Sequence, residues 1–287
     1  MIERLDFRLP RFCRYLWVSV EAREHWAPRF AALAARIEAD TFVRIAAQDG
    51  ALLCDPAPGE AAGLRARARA HGLDTLRLPC PSELAPQLED PTLIATAAVA
   101  ERLTRAWHSG DVAAWLAGLE LPACCARAYI ERHVGQRWRD GAFVTLADAG
   151  EEIDAPPALN RMLARIGLAA LSHDPCSPHC SASLALAERQ LRFARERDAA
   201  AADELLQILQ WPMEWSALHG AIELRTPVVK LCWESDATAS PVLRRRLGAS
   251  WPLHAAVGQR FPYLPPKRHR LLASIGWRRG LERAEQS

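Results

Sequence analysis

A mixed, helix-rich α/β fold is predicted, with a small N-terminal α/β layer followed by a mainly helical, cysteine-bearing region. Three features of the chain carry this expectation. Stretches such as WAPRFAALAARI space their apolar residues at helical intervals, short β-branched or aromatic runs such as TFVRIAA and VVKLCW interrupt them, and proline- and glycine-rich breakers separate the two kinds. The expected division is an α/β region over residues 1–110 and a helical, metal-binding region over residues 111–287 with a basic C-terminal tail. At 287 residues, half of them hydrophobic, the chain is long enough to bury a core without covalent staples.

The first predicted element is a helix over Trp26–Ile37, followed by a strand over Thr41–Ala47 and a second short strand at Ala51–Cys54. The Asp49–Gly50 pair between the strands reads as a hairpin turn. Glu60–His71, rich in alanine and arginine, reads as a helix, and Thr75–Leu78 as a strand before the breaker Pro79–Pro86. From Thr92 to Trp107 the pattern is helical, and a short helix over Val112–Ala117 is ended by Gly118. Pro122 opens a helix over Ala123–Val134, and Asp140–Pro157 reads as a loop or boundary. Leu159–Leu171 is apolar at helical spacing, Ser181–Arg197 is a long amphipathic helix, and Val228–Trp233 has strand character.

Lysine and arginine total 36 against 34 aspartates and glutamates, a balance that exerts no global pull toward nucleic acid or acidic membranes. The N-terminal stretch has scattered charges and an apolar run of about six residues, shorter than a secretory core or a membrane span. A cytoplasmic location is therefore expected, with no membrane association. In a reducing compartment the eight cysteines point away from a disulfide framework and toward metal ligation, thiol redox chemistry or burial. Cys13, Cys54, Cys80 and Cys232 are isolated and read as small buried hydrophobes.

The informative segment is His173-Asp174-Pro175-Cys176-Ser177-Pro178-His179-Cys180, which places His173, Cys176, His179 and Cys180 within eight residues. Ser177 as N-cap and Pro178 as first helical residue would set the thiols at a helix N-terminus, whose unpaired amides favour the thiolate, the form that binds metals. A Cys-x3-Cys spacing permits a zinc finger but lacks the second regular pair. It also lacks the third cysteine of a radical-SAM site and the two-residue gap of a thioredoxin site. Cys124 and Cys125 likewise follow a proline at a helix start. If the two pairs meet, three or four cysteines surround one centre, as a closed zinc site or an iron–sulfur cluster needs. Because neighbours on a helix point about 100° apart, only one of Cys124 and Cys125 is expected to ligate. An iron–sulfur cluster is expected ahead of zinc, with His173 or His179 as spare ligand.

A third constellation lies in Trp211–Glu223. On a helix, His219 and Glu223 would stand one turn apart as an acid–base or substrate-positioning pair, though a mutual hydrogen bond beside a packed core is the plainer reading. The basic residues Arg244–Arg246, Lys267–Arg270 and Arg278–Arg279 carry Trp251, Phe261, Tyr263 and Trp277 among them. With no recognised module around them, nucleic acid is an unlikely partner, and a small-molecule substrate or a protein redox partner fits better.

The succession LPACC, HDPCSPHC, WSALHGAIELRTP and GQRFPY, over roughly Ala113–Tyr263, resembles a family of uncharacterised prokaryotic proteins with GYPxCC-like and HxPCSxxC-like motifs. His173, Pro175, Cys176, Ser177 and Cys180 match the second motif, and Pro122, Cys124 and Cys125 the remainder of the first. Glu120 and Leu121 stand where the family would have Gly-Tyr. The resemblance implies a cysteine site and supplies no reaction. Three functions follow as expectations: a metal-dependent enzyme of redox or biosynthetic chemistry, a scaffold protein organised by structural zinc, or a metal-free thiol switch.

Overall fold

The computed structural model describes residues 13–133, 155–218 and 221–234, apart from positions 57, 58, 81, 83, 86, 87 and 89, together with the strands at 2–4, 152–153, 242–244 and 267–269. The architecture is mixed and helix-rich α/β, as predicted.

The N-terminal half is built on the antiparallel sheet β3 (Ala51–Cys54), β5 (Thr92–Ala95) and β4 (Asp74–Arg77), with β5 in the centre. Residues of a central strand have neighbours on both edges, and every residue of β5 is buried. Around it lie α2 (Ala61–Ala70), α3 (Ala97–Ser109), α4 (Val112–Gly118) and α5 (Ala123–His133). Trp107 of α3 and Trp115 of α4 meet edge to face at 4.8 Å, so this core continues past residue 110. Gly118 lets the two helices approach: a Cβ there would lie 2.2 Å from Leu103 Cδ2. The predicted helix from Thr92 begins only at Ala97, because Thr92–Ala95 fills the central strand.

The second core lies between α1 (Val20–Gln48), α6 (Ser181–Leu209), the segment 157–171 and the strands β8 (Ala221–Arg225) and β9 (Val229–Glu234). These strands belong to a sheet of order β2-β9-β8-β7-β11-β6, with β2 at Cys13–Trp17, β7 at Glu214–Leu218, β11 at Lys267–His269 and β6 at Glu152–Ile153. It is antiparallel except between β11 and β6. A separate pair joins β1 (Ile2–Arg4) to β10 (Val242–Arg244).

Several expectations are corrected. Thr41–Ala47 is the last third of α1, not a strand. Phe42 and Ile45 continue the buried stripe of Phe30 and Leu33 at helical spacing, and Thr41 Oγ1 donates to the Ile37 carbonyl at 2.8 Å, bonding into the helix. Asp49–Gly50 is no hairpin: Asp49 adopts a left-handed conformation (φ 51°) as the C-cap of α1, and β3 pairs with β5. Leu159–Leu171 forms 3-10 turns at Pro157–Leu159 and Ala164–Ile166, not a continuous helix. Asn160 holds this segment to α6: Nδ2 donates to the Leu209 carbonyl at 2.8 Å, while Oδ1 accepts from the Met162 amide at 3.0 Å. Glu214–Leu218 and Ala221–Arg225 are paired antiparallel strands, so Glu223 sits on a strand and not on the helix considered for Trp211–Glu223. Most of the predicted loop Asp140–Pro157 and of the basic tail lies outside the described residues. No helix among the described residues is long and apolar enough to cross a membrane.

Candidate metal centre

Two helix N-termini converge to make the site. α5 follows Pro122, whose carbonyl accepts from the Ala126 amide at 2.8 Å, so Cys124 and Cys125 occupy the first turn, where amides lack intrahelical partners. The approach to Pro122 is fixed by Glu120, in the left-handed region (φ 59°), where a residue other than glycine costs roughly 1–2 kcal/mol. Its carboxylate is held by the buried Arg44 of α1 at 2.9 Å. Gly50 leaves room for this pair, since a Cβ there would sit 3.3 Å from Glu120 Oε2. Glu120 thus holds, with an arginine's help, a backbone conformation that favours glycine.

α6 begins at Ser181, as expected for the long helix, and not at Pro178. Its N-cap is Cys180, whose sulfur accepts from the Ser183 amide at 3.4 Å, while Ser177–Cys180 form a turn closed by the Cys180 amide on the Ser177 carbonyl. Ser177 is therefore not the cap. Proline at 178 cannot supply an amide, and the turn rather than the helix sets the Cys176–Cys180 separation. Arg132 donates to the Cys176 carbonyl at 2.9 Å, and Arg161 donates to Asp174 at 3.3 Å and to the Leu171 carbonyl, fixing the segment on both sides.

The result is a cluster of four thiols, Cys124, Cys125, Cys176 and Cys180, with all sulfurs within 4.8 Å of one another. Cys124 lies 3.6 Å from Cys180 and 3.9 Å from Cys125, and Cys125 lies 3.7 Å from Cys180. Both members of the adjacent pair take part. Cys180 spans the divergence of their Cα–Cβ bonds, its sulfur lying 3.6 Å from one and 3.7 Å from the other. Cys125 and Cys180 are buried, Cys176 is half-buried and Cys124 is exposed.

Hydrogen bonds reach this cluster unevenly. Cys125 accepts from the Cys176 amide at 3.4 Å and lies 3.1 Å from Ser183 Oγ, which in turn lies 3.0 Å from His173 Nε2. Burial would push the Cys180 thiol up, but the Ser183 hydroxyl and amide together with the Cys176 and Cys124 thiols bring it down to about 6. Burial pushes Cys125 up to about 11 and raises Cys176 further still, where neighbouring thiols add to the shift. One thiolate is thus shared and a second is opposed by the first. A bound cation removes that opposition, because its charge stabilises every thiolate at once.

Of the other predicted site residues, His173 and His179 stand outside the cluster. His173 is buried on Ser183, and desolvation, helped by the Arg161 charge, lowers its imidazole to about 4, so it is neutral at neutral pH. His179 is exposed in the turn. Glu223 lies on β8 in an ion pair with Lys230 at 2.7 Å, and His219 lies outside the described residues. Sequence reasoning missed Ser183. Its position one turn after Cys180, on the same helix face, is the signal that could have found it.

Fold and site together define a class: a helix-rich α/β protein whose two cores meet at a four-cysteine cluster able to hold a metal. Compared with known protein families, curated proteins and solved structures, the chain matches none.

Proposed function

We propose that the four thiolates bind a single metal ion, zinc in the first place, in a tetrahedral site that ties α5 to α6. The observation that carries this is the sulfur spacing. A Zn–S bond of about 2.3 Å implies a tetrahedral edge of about 3.8 Å. The observed separations of 3.6, 3.7 and 3.9 Å bracket that edge. A four-iron cluster gives each thiolate its own iron and so spreads the sulfurs by its own width, which a set confined within 4.8 Å does not match. The motif resemblance belongs to this proposal and adds no chemistry to it.

A single iron is the second reading, favoured by the amide bonds to Cys125 and Cys180. Such N–H···S bonds stabilise the reduced, more negative thiolate set and thereby tune a redox potential. In that case the protein is an electron carrier or redox enzyme.

The test is metal analysis, labile-sulfide assay and absorption spectroscopy on protein purified without oxygen, with Cys176→Ala alongside. One zinc per chain, colourless, without sulfide and lost in the variant is the expected result. Iron without sulfide but with visible charge-transfer bands selects the second reading. Iron with stoichiometric sulfide, or wild-type protein with no metal, overturns both.

A further inference from the structure

The four thiols are not equivalent, and their differences single out one of them. Cys125 accepts a backbone amide at 3.4 Å and has the Ser183 hydroxyl at 3.1 Å, and Cys180 accepts the Ser183 amide at 3.4 Å. Each such bond draws electron density from the sulfur lone pairs and lowers nucleophilicity. Among the described residues, Cys124 receives no N–H or O–H bond, and its contacts are the Cys125 and Cys180 sulfurs. The Cys176 sulfur likewise accepts no N–H or O–H bond among the described residues, since Arg132 bonds its carbonyl, but it is half-buried, so Cys124 is the exposed member of the two.

Building on the single-metal reading, we propose that Cys124 is a metal-activated nucleophile, and that the site accepts alkyl groups from soft carbon electrophiles. Four thiolates on one dication leave a net charge of two minus, concentrated on whichever sulfur is least hydrogen-bonded. Of the two sulfurs without such a bond, Cys124 is the one at the solvent edge. Its lone pair forms an S–C bond while the C–X bond breaks and X leaves with its electron pair. The product thioether is neutral and a weaker ligand, so the site falls to one minus and keeps three thiolates on the ion. The step consumes no oxidant or reductant. Each chain accepts one alkyl group, and the fourth coordination position loosens, so alkylation is converted into a change at the start of α5.

The experiment uses zinc-loaded full-length protein carrying Cys80→Ser, which removes an exposed cysteine outside the site. Zinc content is measured first, iodoacetamide is then added below stoichiometry, and each cysteine is quantified by peptide mass spectrometry. The expected result is carbamidomethylation at Cys124 at least ten-fold faster than at Cys125, Cys176 or Cys180, with zinc still bound after the first addition. In Cys124→Ser the fast phase disappears, and an unchanged far-ultraviolet circular dichroism spectrum separates loss of the nucleophile from loss of fold; a fast phase that persists in this variant overturns the inference. Zinc-loaded protein labelled first at Cys176, or evenly over the four, overturns the inference and leaves the metal reading standing. Protein that takes up no zinc overturns the metal reading and the inference with it.

Discussion

At the scale of single residues, the cluster depends on side chains beyond the four thiols. Ser183 is fully buried and stands between His173 Nε2 and Cys125 Sγ while its amide serves Cys180. When Cys125 is a thiolate it can only accept, so the Ser183 hydroxyl donates to it. The serine oxygen then accepts from His173, which places the imidazole proton on Nε2. Such outer hydrogen bonds typically change metal affinity by about 10–100-fold. Ser183→Ala is expected to weaken zinc binding by that factor, measured by competition with a chromophoric chelator, and Ser183→Thr to recover most of it. An alanine variant with unchanged affinity would show that the serine only fills space. The backbone amide of residue 183 survives both changes, so the Cys180 bond serves as an internal constant.

At the scale of elements, α6 is two helices joined at Asp198, whose backbone (φ −150°, ψ 78°) is not helical. Its Oδ1 accepts from the Ala201 amide at 3.1 Å as an N-cap for the second segment, and both carboxylate oxygens receive the Arg36 guanidinium of α1. The break lets α6 follow α1 along its length, with Arg29–Glu204 at 2.7 Å on one side of the kink and Arg197–Asp40 at 3.1 Å on the other. The Arg36 bond, and after it the Ala201 amide, hold the Asp198 carboxyl below its ordinary value. A carboxyl whose folded pKa lies under its unfolded one adds stability above the unfolded value, about 3.9, and loses it as pH falls through the folded value. Asp198→Asn is therefore expected to unfold at lower denaturant than wild type at pH 7. The two midpoints should converge when the titration is repeated on the acid side of that carboxylate range. A gap that persists undiminished into acid would mean that the cap geometry, not the charge, holds the kink.

At the scale of the whole molecule, the cysteine cluster lies where two cores meet. Ala126 and Tyr129 of α5 pack with the core around Trp107 and Trp115, whereas Leu186, Ala187 and Leu191 of α6 pack with the core of Leu163, Leu168 and Leu231. α1 links the second core to the N-terminal half as well, contributing Phe30 and Leu33 to the one and Phe42 and Ile45 to a third cluster, with Ile94 of β5, beside the small sheet. An ion bound by sulfurs from α5 and α6 acts as a second tie. A ligand present at about 1,000 times its dissociation constant stabilises by about 4 kcal/mol, equivalent to roughly 8 °C or more in a chain of this size. Stripping the metal with a strong chelator is expected to lower the melting temperature by at least that much. Hydrogen exchange should rise first at residues 121–126 and 173–183, with β5 still protected. Uniform loss of protection over both cores would mean that the ion is required for the whole fold.

Much of this was legible in the chain. Helices announce themselves through apolar spacing, so the middle of α1, α2, α4, α5 and the start of α6 were readable, and the density of cysteines in LPACC and HDPCSPHC marked four thiols that could hold a metal. Pro122 before α5 was legible as well, whereas a turn at Ser177–Cys180 stands where a helix start capped by Ser177 was expected. Elsewhere tertiary structure decided. Thr41–Ala47 is helical because its apolar stripe meets a core, and Thr92–Ala95 is a strand because it fills the centre of a sheet. Both outcomes depend on distant partners that propensity does not contain. The same holds for the site. Only the folding of α5 against α6 brings Cys124 within 3.6 Å of Cys180, across an interval of 56 residues, and leaves His173 and His179 outside. Sequence determined which atoms can bind a metal, because ligand chemistry is local. The tertiary structure decided how many do so together, because that number is a distance.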